Sequence, residues 1–172
     1  NSNVPGAINA SSVQTLTGFA GDMNTVFAAA SNSEIINLTH PAITLSDTTL
    51  AASVLITLNS NTDGLINASS ITTLTGTATV VNSALTVNSN EISNLGNEIV
   101  TLSDTTLAAT ALNTLNGNTT GVINTTDVQT LTGTVSDVNT AYAASGISNL
   151  GDESVTLSDT STTVSALTTL NS

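Results

Sequence analysis

Five acidic residues have the side chains and the spacing that could bind a cation. Glu98, Asp152 and Glu153 precede two copies of the segment Thr-Leu-Ser-Asp, whose own acids are Asp104 and Asp159. Carboxylate oxygens are ligands that Ca²⁺ prefers, and the ion takes about six to eight oxygen ligands. The five acids are therefore candidates for a calcium site, although neither an EF-hand loop nor a Gly-Gly-x-Gly-x-Asp run accompanies them. Solvated loop acids and helix caps are the simpler interpretation.

The chain lacks the other residue combinations on which catalysis commonly depends. It contains no cysteine, which excludes disulfides, thiolate metal sites and a thiol nucleophile. His40 is the only histidine, so a metal centre or a serine–histidine triad would depend on that single side chain. No phosphate-binding loop is present. The sequence predicts a protein that is not an enzyme, with no catalytic residues and no cofactor apart from the candidate calcium.

The charge of the chain limits the partners that it can bind. There are 12 acidic residues and no lysine or arginine, which gives a formal net charge of −12. Binding to nucleic acid and docking on anionic lipid both depend on basic side chains, so we expect neither. No window approaches the roughly 18 apolar residues that a membrane span requires, so we expect no membrane insertion. Aromatic residues make up only 2% of the chain, which favours a narrow core of Ala, Val, Leu and Ile.

A tandem repeat organises the sequence. The segment Thr-Leu-Thr-Gly occurs three times at nearly constant spacing, and it ends at Gly18, Gly76 and Gly133. The segment Thr-Leu-Ser-Asp-Thr also occurs three times, and it begins at Thr44, Thr101 and Thr156. Two blocks that keep one common period predict a repeat architecture. We therefore predict one solenoid segment over residues 1–172, with repeats at approximately 8–64, 65–121 and 122–172, the last incomplete.

Each repeat is predicted to contain two helices and several short strands. One helix is predicted from Thr48 to Leu58, with Asp47 or Thr48 as its N-cap and its end at Asn61–Gly64. The other presents one apolar face, made of Ala20, Met23, Val26 and Phe27. Short segments rich in β-branched residues predict strands, and these include Ile43–Leu45, Leu65–Asn67 and Ile92–Leu95 with their equivalents in the other repeats.

Such short strands need neighbours from outside their own repeat, and we expect each one to stack on the same strand of the next repeat. The predicted fold class is α/β, an elongated solenoid of stacked strand–helix coils with about 57 residues, or two coils, per repeat. An all-β solenoid is the alternative, because segments rich in Thr and Val also form strands.

Two long segments of the chain, Val100–Gly133 and Thr134–Asp159, carry a resemblance to known proteins. They resemble tandem repeats of very large secreted or surface proteins of marine cyanobacteria and other aquatic bacteria, and similar repeats in some phage structural proteins. The resemblance implies a role in surface layers, adhesion, filaments or virion fibres. The first copy departs from the pattern, with Thr39-His40-Pro41 where the others have Gly96-Asn97 and Gly151-Asp152.

These observations predict a structural or adhesive extracellular repeat module that forms part of a surface protein, fibre or filament. Its expected partners are neighbouring repeats or copies of itself end to end, and a glycan or another cell-surface molecule. We expect it outside the cell or at the cell surface. The alternatives are a virion fibre or appendage segment and a solenoid that binds calcium, glycan or ice. The paired threonines of Thr-Leu-Thr-Gly motivate the ice alternative, because a regular threonine face can order water.

Overall fold

The computed structural model describes residues 6–171, so residues 1–5 and 172 of the predicted segment lie outside the described part of the chain. The fold is α/β, with short strands alternating with helices. The helices are α1 (Ala20–Ser31), α2 (Ala52–Asn61), α3 (Ala78–Leu85), α4 (Ala109–Asn118), α5 (Val135–Ala143) and α6 (Val164–Leu170). The predicted α/β class is confirmed, and the all-β alternative is wrong.

The strands are short and all their described pairings are parallel. Those of the first half are β1 (Ile8–Asn9), β2 (Thr15–Gly18), β3 (Ile35–Ile36), β4 (Ala42–Leu45), β5 (Thr49–Ala51), β6 (Ile66–Asn67) and β7 (Thr73–Gly76). The others are β8 (Ile92–Ser93), β9 (Ile99–Leu102), β10 (Thr106–Ala108), β11 (Ile123–Asn124), β12 (Thr130–Gly133), β13 (Ile147–Ser148) and β14 (Ser154–Leu157).

The chain forms two compact units. Unit 1 comprises the described residues up to Thr72 and Val87–Leu95, and unit 2 comprises Thr73–Thr86 and the described residues from Gly96 onward. In unit 1, β2, β4, β6 and β8 form a sheet in that order, and β1 pairs with β3. In unit 2, β7, β9, β11 and β13 form a sheet in that order, and β10, β12 and β14 form another.

The register of these strands corrects the predicted stacking. Thr15 lies opposite Ala42, and Ile43 lies opposite Ile66, so each partner is less than half a sequence repeat farther along the chain. We call the stretch between two such partners a coil. A coil is therefore much shorter than the sequence repeat, and a strand pairs with a different block one coil away. The prediction that each strand stacks on the same strand of the next repeat is wrong.

The two units nevertheless place the same blocks in the same order. In unit 1 the sheet begins with the Thr-Leu-Thr-Gly strand β2 and continues with β4, an Ile-Asn strand and an Ile-Ser strand. In unit 2 the sheet from β7 to β13 repeats this order of sequence blocks. Equivalent blocks therefore have equivalent neighbours, which is the arrangement that a repeated sequence predicts.

The helix predicted from Thr48 to Leu58 begins later than expected. Residues Thr49–Ala51 form β5, and α2 starts at Ala52 with Ala51 as an N-cap that makes no side-chain bond. Leu50 is buried as predicted, but it belongs to a strand and not to a helix. The predicted end is confirmed, because α2 finishes at Asn61. The predicted face of α1 is confirmed for Ala20, Met23 and Phe27, which are all buried.

The core is mostly aliphatic, and the helices pack against helices of neighbouring coils. α4 contacts α3 and α5 and buries Ala109, Leu112 and Leu115. Helix α6 carries the equivalent apolar residues but packs against α5 on one side only within the described chain, and it buries none of them. The same residue pattern is thus buried in α4, which has helices on both sides, and left exposed in α6.

Two matched substitutions test this dependence. Leu112→Ala removes a fully buried side chain, and we expect it to lower the free energy of unfolding by about 2–5 kcal/mol. Leu167→Ala changes the equivalent residue of α6, which is 42% exposed, so the loss should be less than half as large. Urea unfolding followed by circular dichroism measures both variants. Equal losses would contradict the dependence on covering coils.

Candidate functional site

The aspartates of Thr-Leu-Ser-Asp bind helix starts rather than one another. The carboxylate of Asp47 accepts a hydrogen bond from the Ala20 N–H at 2.8 Å, at the start of α1. Asp104 does the same at the Ala78 N–H of α3, and Asp159 at the Val135 N–H of α5, both at 2.7 Å. In each case the helix belongs to the preceding coil. The prediction that Asp47 or Thr48 caps the following helix is therefore wrong.

Strand pairing explains why the carboxylate reaches that helix. The Ser103 N–H donates to the Gly76 carbonyl oxygen at 3.0 Å, so the ladder between β7 and β9 extends to the residue before Asp104. Helix α3 begins two residues after Gly76. The ladder thus delivers the aspartate to the first turn of the helix. The same bond recurs between Ser46 and Gly18 and between Ser158 and Gly133, at 2.9 Å each.

These carboxylates meet the positive ends of helices. Free N–H groups give the first turn of a helix a partial positive charge, which a carboxylate stabilises. At α3 and α5 a threonine also caps the helix, because Thr77 accepts from the Val80 N–H and Thr134 from the Asp137 N–H. Each of these two helix starts therefore has two acceptors, one from its own coil and one from the next.

Removing one cap should loosen the attachment between two coils. Asp104→Ala should lower the free energy of unfolding by about 1 kcal/mol, the usual cost of a lost N-cap. It should also speed exchange of the Ala78 amide proton. Asp127→Ala, at an exposed acid of the same unit, is the matched control and should change neither quantity appreciably. Equal effects in the two variants, by urea unfolding and hydrogen exchange, would contradict the role of the cap.

Asparagine pairs form a second set of bonds between coils. The side-chain oxygens of Asn9, Asn67 and Asn124 accept from the side-chain amides of Asn37, Asn94 and Asn149 at 3.1, 2.9 and 2.9 Å. The three donors have φ angles of 59°, 63° and 65°. Asparagine tolerates this left-handed conformation better than most residues do. The dipeptides Ile-Asn and Asn-Leu recur in the sequence. Their spacing did not predict that the two asparagine side chains would bind each other.

Glu98 and Glu153 occupy equivalent positions in two repeats but have different surroundings. One oxygen of each accepts from the backbone N–H two residues earlier, at Gly96 and Gly151, at 2.8 and 2.9 Å. Glu98 is only 2% exposed, and its other oxygen has no hydrogen-bond partner among the described residues. The other oxygen of Glu153 accepts from the hydroxyl of Tyr142. In the repeat that contains Glu98, the residue equivalent to Tyr142 is Leu85, which cannot donate such a hydrogen bond.

The bond between Tyr142 and Glu153 changes the acidity of both groups. Burial raises the pKa of the Tyr142 hydroxyl well above its usual range, and the bond to Glu153 and its negative charge raise it further. Burial alone would raise the pKa of Glu153 as well. The hydrogen bonds from Tyr142 and from the Gly151 N–H outweigh that effect, so the pKa of Glu153 lies below its ordinary value.

The lowered pKa of Glu153 gives a stability that depends on pH. Because the folded protein favours the charged carboxylate, this stabilisation is complete above the ordinary glutamate pKa and is lost as the pH falls through the folded value. Tyr142→Phe should therefore lower the melting temperature at neutral pH, and the difference from the parent should shrink on acidification. Melting curves from neutral pH to pH 2 measure this. A difference that stays constant over that range would contradict the assignment.

His40 lies apart from the other candidate residues. Its Nδ1 is 3.3 Å from a carboxylate oxygen of Asp63, and both side chains are largely exposed, so the pair contributes little to stability. The two residues border an open cleft of about 330 Å³ together with Phe27, Leu38 and Asn61. Ser31 also lines this cleft, but its hydroxyl donates to the Phe27 carbonyl oxygen of its own helix. The lining therefore does not form a serine–histidine–acid triad.

The five candidate calcium ligands have different surroundings and different hydrogen-bond partners. Asp104 and Asp159 bind different helix starts, and Glu98 and Glu153 bind the loops in which they lie. Asp152 is exposed. Within residues 6–171, no three histidine, aspartate or glutamate side chains are grouped so that they could hold a metal ion. None of the helices in the same range is both long and apolar enough to cross a membrane.

Comparisons with protein-family models, with curated proteins and with solved structures find no match to this chain.

Proposed function

We propose that the chain is a structural repeat module of an extracellular or cell-surface protein, in which stacked coils carry load or space other parts, and that it is not an enzyme. The strongest support for this proposal comes from the hydrogen bonds that the repeated polar residues make. The aspartates at 47, 104 and 159 and the asparagines at 9, 67 and 124 all bind across to a neighbouring coil. The residues that define the repeat thus serve attachment between coils.

The solenoid is the finer part of this proposal. In both units the two members of a parallel pair lie less than half a sequence repeat apart, and helices pack on helices of adjacent coils. In a continuous stack of such coils, the sequence repeat would not be a whole number of coils. Each repeat would then begin on a different side of the stack from the one before it, and the proposed solenoid would have two coils and a fraction per repeat.

Hydrogen exchange of the backbone amides tests the stacked-coil proposal. In a stack each coil is supported only by its neighbours, so protection should be highest in the central coils and fall toward β1 and α6. We expect Leu74 and Leu102 to exchange far more slowly than Leu16 and Ser154, whose amide is also hydrogen-bonded, to the Gln129 carbonyl oxygen at 2.9 Å. Uniform protection, with one cooperative opening for all of these amides, would contradict a stack and would favour a single globular core.

Exposure on intact cells tests the proposed location. Trypsin cleaves after lysine and arginine, and the chain has neither, so a broad-specificity protease is required. We expect such a protease, added to intact producing cells, to remove the segment from the cell surface while a cytoplasmic marker survives. Recovery of the segment only after the cells are broken would contradict the surface location.

A ligand-binding face is a second candidate function, favoured by the strand register. Thr17 lies opposite Thr44, Thr75 opposite Thr101, and Thr132 opposite Thr156. All six are at least partly exposed. Neighbouring strands are about 4.8 Å apart, so each pair presents two hydroxyl and methyl groups at a short fixed distance. Such pairs could order water or dock on an ice surface or a regular glycan. Absence of thermal hysteresis in a concentrated solution would remove the ice version of this candidate.

A further inference from the structure

Five asparagines of the chain stand in the pattern Asn-x-Ser/Thr, to which N-linked glycans are attached. They are Asn9, Asn37, Asn67, Asn118 and Asn124. The glycan is bonded to the side-chain nitrogen, Nδ2, and its bulk requires a surface position. The folded chain therefore accommodates a glycan most readily where Nδ2 is accessible and makes no other bond. Asn37 already uses this nitrogen for its bond to Asn9.

Asn67 and Asn124 are held in place through Oδ1, which leaves Nδ2 unused. The Oδ1 atoms accept from the backbone N–H two residues later, at Ser69 and Thr126, at 3.1 and 3.0 Å. An asparagine of the neighbouring coil donates to the same oxygen in each case. Within residues 6–171 neither Nδ2 has a hydrogen-bond partner, and neither is buried. Both nitrogens are therefore open to solvent.

The hydroxyl residue that completes the pattern lies beside the asparagine. An asparagine oxygen that accepts from the backbone two residues later forms an Asx turn, which holds the two residues together. The hydroxyl of Thr126 also donates to the Oδ1 of Asn124, at 2.6 Å. The same turn forms at Asn9 with Ser11. Asn9 lies close to residues outside the described part of the chain, so the inference is confined to Asn67 and Asn124.

Asn118 has the same sequence pattern but different surroundings. Its Nδ2 donates to the Oδ1 of Asn82 at 2.7 Å. The hydroxyl of Thr120, which completes the pattern, donates to the Gly96 carbonyl oxygen at 3.1 Å. A glycan at this nitrogen would have to displace the bond to Asn82. Because Asn118 belongs to the same unit as Asn124, it is an internal control for the effect of these hydrogen bonds.

We infer that Asn67 and Asn124 are attachment sites for N-linked glycans. The inference rests on the proposed extracellular location, because this modification belongs to exported chains. An oligosaccharyl transferase catalyses the reaction, with a glycan linked to a lipid pyrophosphate as the donor. The bond between Nδ2 and the anomeric carbon forms, and the bond from that carbon to the pyrophosphate oxygen breaks. Nδ2 gives up one proton as the lipid pyrophosphate leaves.

Modification at these two asparagines preserves the contacts between coils. Both contacts are made through Oδ1, which an N-linked glycan leaves unchanged. Thr44 lies opposite Asn67, and Thr101 lies opposite Asn124, so each glycan would stand beside a partly exposed threonine of the adjacent strand. The modified chain should therefore melt at a temperature no lower than that of the unmodified chain.

Glycan transfer to the folded chain tests the inference. The purified chain is incubated with an oligosaccharyl transferase and an N-acetylglucosamine oligosaccharide carried on lipid pyrophosphate. Mass spectrometry with peptide fragmentation then measures the occupied fraction of each asparagine. Occupancy at Asn67 and at Asn124 should exceed that at Asn118 by about tenfold, because transfer to Asn118 must first break a hydrogen bond.

Variants of the hydroxyl residues supply matched controls. Thr126→Ala removes the hydroxyl that the pattern requires but keeps Asn124 and its bond to the neighbouring coil. It should abolish modification of Asn124 and leave that of Asn67 unchanged, and Ser69→Ala should have the converse effect. Thr126→Ser keeps a hydroxyl and should remain modified. Thr120→Ala should change neither site. Circular dichroism verifies that each variant is folded.

Three outcomes would overturn the inference. The folded chain could stay unmodified while a short acceptor peptide in the same reaction is modified, Asn118 could be occupied as fully as Asn124, or Asn124 could remain modified in Thr126→Ala. None of these bears on the proposed function, which amide protection and protease treatment of intact cells test separately. Transfer to both sites, with the segment recovered only from broken cells, would instead contradict the proposed location and leave the attachment sites standing.

Discussion

The backbone N–H groups at helix starts are the positive partners on which this chain depends. It has 12 acids and no lysine or arginine, so an aspartate that is to be held in place must bind neutral hydrogen-bond donors, above all backbone N–H groups. Asp47, Asp104 and Asp159 find one in the helix of the preceding coil. The bond satisfies an otherwise free amide, neutralises part of the helix dipole and ties two coils together. Hydrogen bonds between asparagine side chains carry the same task where no helix begins.

The burial of apolar side chains also depends on neighbouring coils. Leu112 and Leu115 are completely buried because other helices lie on both sides of α4. The same pattern in α6 leaves Val164 and Leu167 exposed. Most of the buried residues are Ala, Val, Leu and Ile, so aliphatic side chains make most of these contacts. If the proposed stack of coils is correct, stability is a sum over contacts between neighbours more than a property of one coil.

Much of this fold could be predicted from the sequence, and the part that could not has a physical cause. The α/β class, the strand at Ile43–Leu45 and the end of α2 followed from local pattern. The strand at Thr49–Ala51 could not be predicted in this way. Leu50 and Leu58 have the spacing of one helical face, and only strand pairing distinguishes a strand from the first turn of a helix at this point. The coil length was hidden as well. Strand pairing is a contact between residues far apart in sequence, and the sequence period measures the repeat rather than the coil.

The candidate site was predicted only in its residue types. The acids at 98, 104, 152, 153 and 159 were recognised as candidate calcium ligands, and solvated loop acids and helix caps as the simpler interpretation. Which helix Asp104 would cap depends on the pairing of β7 with β9, which places it beside Ala78 and not beside its own α4. The bond from Tyr142 to Glu153 was missed because the equivalent residues of the other repeats, Phe27 and Leu85, cannot donate one.

The mismatch between coil and repeat has a consequence for how such a gene can change. Blocks with the same sequence do not pair with each other in the described sheets; each lies beside a block of another kind, in an order that both units share. Duplication or loss of one whole repeat restores every one of those neighbours, whereas loss of a single coil would place unlike edges together. Recombination between repeats can therefore lengthen or shorten the protein in steps that preserve the contacts between blocks, whereas smaller deletions break them.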